Sequence, residues 1–291
     1  MKGSRWPLRR WLVVLLTAIT SMSYLVVALV VVLLRTPQIT EETRTTLSLE
    51  AADLAHRSEA ALSRLQAELE LMSSLLAVAD PQVLQLAMDQ AIRQGGFNAI
   101  YRVENNGRVS QVALDPALPP SLTTEIQGND LSRDPFYNSA RESGLPGWSD
   151  KYLSPVTSKV AVSVAVPSGP VVLIGEVPLS YLLDALYLVS SRTDYKVSVL
   201  DRRGEVLVDT ENADRVGVLN LASTHLFQQA GPDATANGAL DLEGLHYDAA
   251  VTRSKQLNWY FMTRSPAGLD NHRIQATVHV ALLALGGTVL M

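Results

Sequence analysis

The stretch "NDLSRDPFYNSARESGLPGWSDKYLSP", residues 129–155, gathers arginine, aromatic rings and carboxylates with almost no regular hydrophobic period. Two readings fit such a composition: a loop dressing an ordinary surface, or the wall of a small-molecule pocket. The side chains have the chemistry for the second. Arginine offers a planar fork that holds a carboxylate through two bonds. Tyrosine and tryptophan rings give an apolar wall with a polar tip, and a carboxylate could hold a ligand ammonium. Catalysis has no comparable support, because the sequence contains no G-x-S-x-G, H-E-x-x-H or P-loop pattern. Asp201, Asp209 and Asp214 fall in and after a hairpin turn, where turn formation and solubility account for them. There is no cysteine, and His56, His225, His246, His272 and His279 lack ligand spacing. Neither a metal nor a cofactor is therefore expected.

The elements that must position these residues are legible from hydrophobic period. Between 39 and 79, Leu47, Ala51, Leu54, Leu62, Leu65, Leu69, Met72 and Leu76 recur at steps close to three and four, which predicts a long amphipathic helix. The stripe is nearly a heptad seam, so it either packs on its own domain or pairs with a twin in a homodimer. "DPQVLQLAMDQAIRQGG" predicts a second helix, with Asp80 as cap, Pro81 first and Gly95-Gly96 ending it. The period then shortens to two. "FNAIYRV" and "RVSQVAL" flank the turn "ENNG" as a hairpin, and "KVAVSVAVP" and "PVVLIGEV" are two further strands. "PLSYLLDALYLVSS" follows as a helix. From Tyr195 the theme recurs: hairpin "YKVSVLD–RRG–EVLVDT", short helix "STHLFQQA", then strands "GALDLEG", "LHYDAAVTRS" and "LNWYFMTRS". This is an α+β chain with two tandem antiparallel modules, spanning about 80–190 and 195–265. His246, Tyr247, Trp259 and Tyr260 could frame a second pocket, but a packed core accounts for them better.

The flanks are apolar. Residues 11–34 contain no charge, long enough to cross a bilayer. The run is too long for a cleaved signal peptide and lacks its small-residue site. Lys2, Arg5, Arg9 and Arg10 precede it, so the N-terminus (1–10) is expected in the cytoplasm and residues 36–275 on the other side. An ectodomain without cysteine suits a bacterial periplasm, with the chain anchored in the inner membrane. A second apolar run, 276–291, reads as the start of another membrane helix with an output domain beyond it, or alternatively as a short buried helix. Net charge −5 argues against nucleic acid as a partner.

The organisation resembles the double Cache sensor region of bacterial transmembrane receptors over about residues 36–275. The likeness rests on "DLSRDPFYNSA", "WSDKYLSPVTSKVAVSVAVP", "IGEVPLSYL" and, in the second module, "VLDRRGEVLVDT". It implies a long helix beside two PAS-like modules, with a ligand in the first. Matched by position, it implies Arg133, Phe136, Tyr137, Trp148, Asp150, Tyr152 and Glu176 as ligand-facing residues. Glu176 stands where an amino-acid-binding subgroup carries aspartate, and Ser158 where the family carries glycine. The implied ligand is a small organic acid or an amino acid. The implied output is cyclic-di-GMP synthesis or degradation; a histidine kinase or a chemoreceptor is the alternative. The residues themselves also allow plainer roles. Arg133 could pair with Asp130 or Asp134 at the surface, Phe136 and Tyr137 could be core, and Trp148 and Tyr152 could share a buried face of one strand. A protein-binding ectodomain without a small ligand remains the reading from another class.

Overall fold

The computed structural model describes residues 8–75, 80–181, 195–231 and 234–289. Helix α1 (Leu8–Leu75) runs unbroken for 68 residues, about 100 Å at 1.5 Å per residue. Its two parts obey different rules. Between 11 and 34, large apolar side chains such as Leu16, Val27 and Leu34 stand exposed. By length and composition α1 is the one helix among the described residues apolar enough to cross a membrane. From Leu47 onward the amphipathic pattern takes over, and Leu47, Ala51, Leu54, Leu62, Leu65, Leu69 and Met72 are all buried. Leu76 and the expected end of the helix at 79 lie outside the described residues.

Helix α2 (Pro81–Gln94) starts where the sequence signals it, with the Asp80 carboxylate accepting from the N–H of Gln82. The first sheet contains β1 (Ala99–Val103), β2 (Val109–Leu114), β3 (Gly147–Trp148), β4 (Tyr152–Leu153), β5 (Val160–Ser168) and β6 (Val171–Pro178). Its order is β2-β1-β6-β5-β3, with β4 also paired to β5. Residues 129–155 are thus not one loop. They hold helix α4 (Pro135–Ser143), capped by Asp134 and closed by a left-handed Gly144, and the two short strands. A preceding helix, α3 (Ser121–Ile126), was not legible from hydrophobic period. Trp148 and Tyr152 lie on separate strands, opposite Val164 and Ala161 of β5. Of the helix expected from 178, only 179–181 are described as helical; 182–194 lie outside the described residues.

The second sheet contains β7 (Lys196–Leu200), β8 (Val206–Asp209), β9 (Ala236–Leu242), β10 (Leu245–Arg253) and β11 (Tyr260–Pro266), in the order β8-β7-β11-β10-β9. Helix α5 (His225–Gln229) covers part of its outer face, and α6 (His272–Val289) closes the described chain. Tyr24, Val27, Ala28 and Val31 of α1 meet Ala276, Thr277, Val280 and Ala281 of α6 along one crevice; small residues there let the two backbones come close.

Both sheets lay one face against α1. Val162, Val164, Leu173 and Val177 of the first sheet and Val197, Val199, Trp259 and Phe261 of the second join the α1 stripe in a single apolar cluster. The seam that could have paired with a twin is this same stripe, and it is consumed inside the chain, since Leu54 and Leu65 have no exposed surface. Alternation along a strand sends the intervening residues to the other face. Gly175 shows how close the helix side is, because a Cβ there would stand 2.6 Å from the Phe97 ring and 2.7 Å from Leu69.

The two modules also repeat in register. "VENNGRV" (103–109) and "LDRRGEV" (200–206) form equivalent turns. Gly107 and Gly204 both take φ of +80°, and a Cβ on either would lie within 2.6 Å of the backbone of Ser132 or Ala222. The bridge Arg108–Asp130 has its counterpart in Glu205–Asn220. Asp134 caps α4 as Thr224 caps α5. Ala99, the first residue of β1, lies opposite Glu176, and Lys196, the first residue of β7, lies opposite Arg264. Glu176 and Arg264 therefore occupy equivalent positions.

A core role for the stripe has a direct consequence for substitution. Leu65→Ala should cost about 2–5 kcal/mol, whereas Leu49→Ala, at a position 68% exposed, should stay within about 0.5 kcal/mol. Urea unfolding of the chain in detergent, followed by tryptophan fluorescence, checks this; equal midpoints would rule out the core assignment.

Candidate functional site

On the first sheet, the face turned away from α1 carries one buried carboxylate, that of Glu176, 1% exposed. β6 sends Glu176 to this side because its neighbours Gly175 and Val177 face the helix. Two hydroxyls donate to it. Ser154 donates to Oε1 at 2.7 Å and Tyr152 donates to Oε2 at 2.9 Å. The Tyr152 hydroxyl also lies 2.6 Å from Ser163 Oγ on β5. Ser154 Oγ accepts the N–H groups of Val156 and Thr157 at 3.1 and 3.0 Å, which leaves its proton for Glu176. The turn that holds Ser154 closes with Ser158 at φ +53°, a conformation glycine adopts without strain.

Burial dominates the electrostatics. It pushes the Glu176 pKa up, and the hydrogen bonds from Ser154 and Tyr152 offset only part of that rise. Burial, reinforced by the Glu176 charge, also raises the hydroxyls of Tyr101 and Tyr152 beyond the ordinary tyrosine range. A buried carboxylate ringed by neutral donors is expensive to ionise without a cation. An ammonium group brought by a ligand would supply that cation.

Of the residues implied by the sequence, Tyr152 and Glu176 are brought together here. The others make different contacts. Tyr137 is fully buried and donates to the carbonyl of Glu104 at 2.8 Å. Phe136, partly buried, packs on a second apolar cluster that includes Tyr137, Tyr101 and Ile174. Trp148 turns to α1, its indole N–H donating to Gln66 at 3.0 Å. Asp150 is exposed and pairs with Arg202 of the second module at 2.6 Å. Arg133 is exposed in the turn before α4. Its charge contributes, after the hydrogen bonds from Ser132 and alongside Arg108, to holding Asp130 below the usual carboxylate range. Ser154, Ser163 and Tyr101 escaped the sequence reading. Ser163 left one signal, a lone hydroxyl in the otherwise apolar alternation "VAVSVAV".

The equivalent position of the second module is built the opposite way. Arg264 is fully buried. Its Nη2 donates to both oxygens of Asp209 and to Glu211, each at 2.9 Å, and Nη1 donates to Ser198. Arg215, 5% exposed, lies 3.5 Å from Asp209, 2.7 Å from Glu211 and 2.8 Å from Glu243. Burial works against the ionised form of Asp209, but the Arg264 charge and hydrogen bonds outweigh it and hold the pKa below the usual range. The expectation for Asp209 holds for turn formation, its Oδ1 accepting the N–H groups of Glu211 and Asn212, and is corrected for solubility: its carboxylate is 1% exposed and serves as the counter-ion of a buried arginine. Asp201 is likewise buried rather than solubilising. Tyr247, Trp259 and Tyr260 are core, while His246 is exposed beside Asp241.

No family model and no curated protein matches the sequence. Solved structures do match. An extracellular ligand-binding receptor from Desulfohalobium retbaense aligns at a TM-score of 0.60 and 13% identity over 76% of this chain, which spans 40% of that one. The ligand-binding domain of the Pseudomonas fluorescens chemoreceptor CtaA, solved with L-isoleucine, aligns at 0.60 and 17% identity over 83% of this chain and 98% of its own. That of the Pseudomonas aeruginosa amino acid chemoreceptor PctB, solved with L-Arg, aligns at 0.58 and 18% identity over 78% and 96%. The fold is that of tandem PAS-like sensor domains, in keeping with the double Cache resemblance of the sequence.

Two measurements probe these buried charges. Glu176 is harder to ionise in the folded state than in the unfolded one, so its contribution to stability is present at low pH and is lost as pH rises through the raised pKa. Glu176→Gln should remove that fall, flattening the melting temperature against pH above the ordinary glutamate range; parallel curves for parent and variant would refute the assignment. Arg264→Met should leave Asp209 with Arg215 at 3.5 Å in place of its 2.9 Å partner and cost about 3–5 kcal/mol, read as a drop in the urea midpoint.

Proposed function

We propose that the chain is the ligand-sensing extracytoplasmic region of a bacterial inner-membrane receptor. The observation that carries the reading is the buried Glu176 carboxylate, held by neutral hydroxyls with a raised pKa. A protein core gains little from such a group, since an unpaired buried charge costs several kcal/mol unless a partner arrives. A ligand ammonium is a partner that fits. CtaA and PctB were solved with amino acids, which supports an amino acid here ahead of an organic acid without an amine. The second module, whose equivalent position is filled by its own arginine and carboxylates, is read as structural.

The remaining parts of the reading follow from the flanks. Lys2, Arg5, Arg9 and Arg10 support a cytoplasmic N-terminus, the apolar 11–34 segment a membrane span, and residues 36–275 a periplasmic region. The run 276–291 is read as the start of a returning span. Homodimerisation stays part of the proposal, on a face other than the buried α1 stripe. For the output, cyclic-di-GMP turnover is carried forward from the family resemblance; the chemoreceptor neighbours favour the alternative. The region itself is read as a sensor, not an enzyme.

The deciding experiment is a thermal-shift screen of the full chain in detergent against amino acids, amines and organic acids, repeated on Glu176→Gln and Arg133→Ala. A ligand at 100 times its dissociation constant should add about 2.7 kcal/mol. The expected hit carries an amine and disappears in Glu176→Gln. A hit that survives in Glu176→Gln removes Glu176 from the site. No hit from a folded chain would favour a protein-binding ectodomain instead.

A further inference from the structure

Lys151 and Tyr152 are consecutive residues that serve different modules. Tyr152 turns inward to Glu176. Lys151, just before β4, reaches the second module: its Nζ lies 3.1 Å from Asp201 Oδ2 and 2.7 Å from Glu205 Oε1. Asp150 adds its pair with Arg202 on the same β7–β8 turn. These contacts differ in weight. Asp150 and Arg202 are 56% and 52% exposed, so water and salt screen them and the pair contributes little. The Lys151 and Asp201 side chains are 24% and 6% exposed, and their attraction is screened much less. Asp201 is also fixed in place, because Oδ1 accepts the N–H groups of Arg203 and Glu205 at 2.8 and 2.9 Å. A displacement of Lys151 therefore acts on the turn as a unit.

The strand that Lys151 leads into is built to give. β4 is two residues long, paired only with Ala161 and Val160 of β5, and Leu153 on it is 68% exposed. Short pairing and exposure put such a segment at the low-stability end of a fold. The Tyr152 hydroxyl is one of two side-chain donors on Glu176, so an ammonium that takes the carboxylate competes with it and re-aims β4. We propose that Lys151 is the positioning residue that couples the Glu176 site to the second module, passing occupancy of the first module to the β7–β8 turn through Asp201 and Glu205. The inference rests on the reading of Glu176 as the ligand site, but its test needs no ligand.

The test perturbs the site by substitution and reads the far turn by hydrogen exchange in the full chain. Glu176→Gln is introduced beside Lys151, Lys151→Arg and Lys151→Met, and exchange is followed at residues 200–206. With lysine or arginine, Glu176→Gln should change exchange at the turn by about fivefold or more, the low end of couplings between linked sites. With methionine, which keeps the apolar stem but not the charge, the change should vanish. An equal response in all three backgrounds overturns Lys151 as the link, and no response in any overturns the coupling. Should Lys151→Met fail to fold, Glu205→Gln removes the 2.7 Å contact and reads the same comparison. A failed ligand screen beside an intact exchange response would sink the sensor reading while leaving the link, and the reverse result would sink the link alone.

Discussion

One constraint organises the whole molecule: a single helical stripe has to be the core of two sheets at once. Each sheet is too small to bury its inner face alone, and α1 offers both the same row of leucines and alanines. The Leu47 carbonyl accepts from Thr263 of the second module and Leu69 closes on Gly175 of the first, within one continuous apolar cluster. Fully burying one such side chain contributes about 1.5–3 kcal/mol, so the row as a whole outweighs any polar contact between the modules. The modules cannot slide along α1 without leaving this row. The opposite faces carry apolar clusters of their own, together with loops, short strands and charges.

Those opposite faces show what the repeated register permits. Glu176 and Arg264 hold equivalent positions opposite the first residues of β1 and β7, yet their surroundings solve the burial problem in opposite ways. Arg264 is neutralised within the chain by Asp209 and Glu211. Such a pair gains little net stability against an apolar core but is strongly destabilised by losing one partner; it locks. Glu176 has hydroxyls and no cation within its hydrogen-bond set, so its ionisation stays costly. The same topology thus yields one closed module and one that is chemically unfinished.

Local rules made most of the fold legible in the sequence. Asp80 and Pro81 announced α2, the turn residues announced both principal hairpins, and alternation located β5 and β6. The α1 stripe was legible as a stripe, but whether a leucine faces its own sheets or a second chain is a tertiary matter that period cannot decide. The site was less legible for the same reason. Arg264 lies 55 residues from Asp209 in the chain, and nothing local distinguishes an aspartate at the end of a strand that will be buried from one that will be solvated. Asp150, Tyr152 and Trp148 stood within five residues and were grouped together. β3 and β4 separate them, sending Trp148 to α1, Asp150 to the second module and Tyr152 to Glu176. Proximity in sequence joined what extended backbone divides.

That division has a functional side. A ligand shifts an equilibrium only by its differential affinity for two arrangements, about 1.4 kcal/mol for each tenfold. Free energy on that scale cannot disturb the α1 row, whose members each carry as much. It can break one hydroxyl contact to a carboxylate that is costly to ionise, and it can re-aim a two-residue strand. A protein with this core therefore has few elements soft enough to register binding. Under the proposed coupling β4 is one of them, with Lys151 just before it paired to Asp201 and Glu205 of the second module.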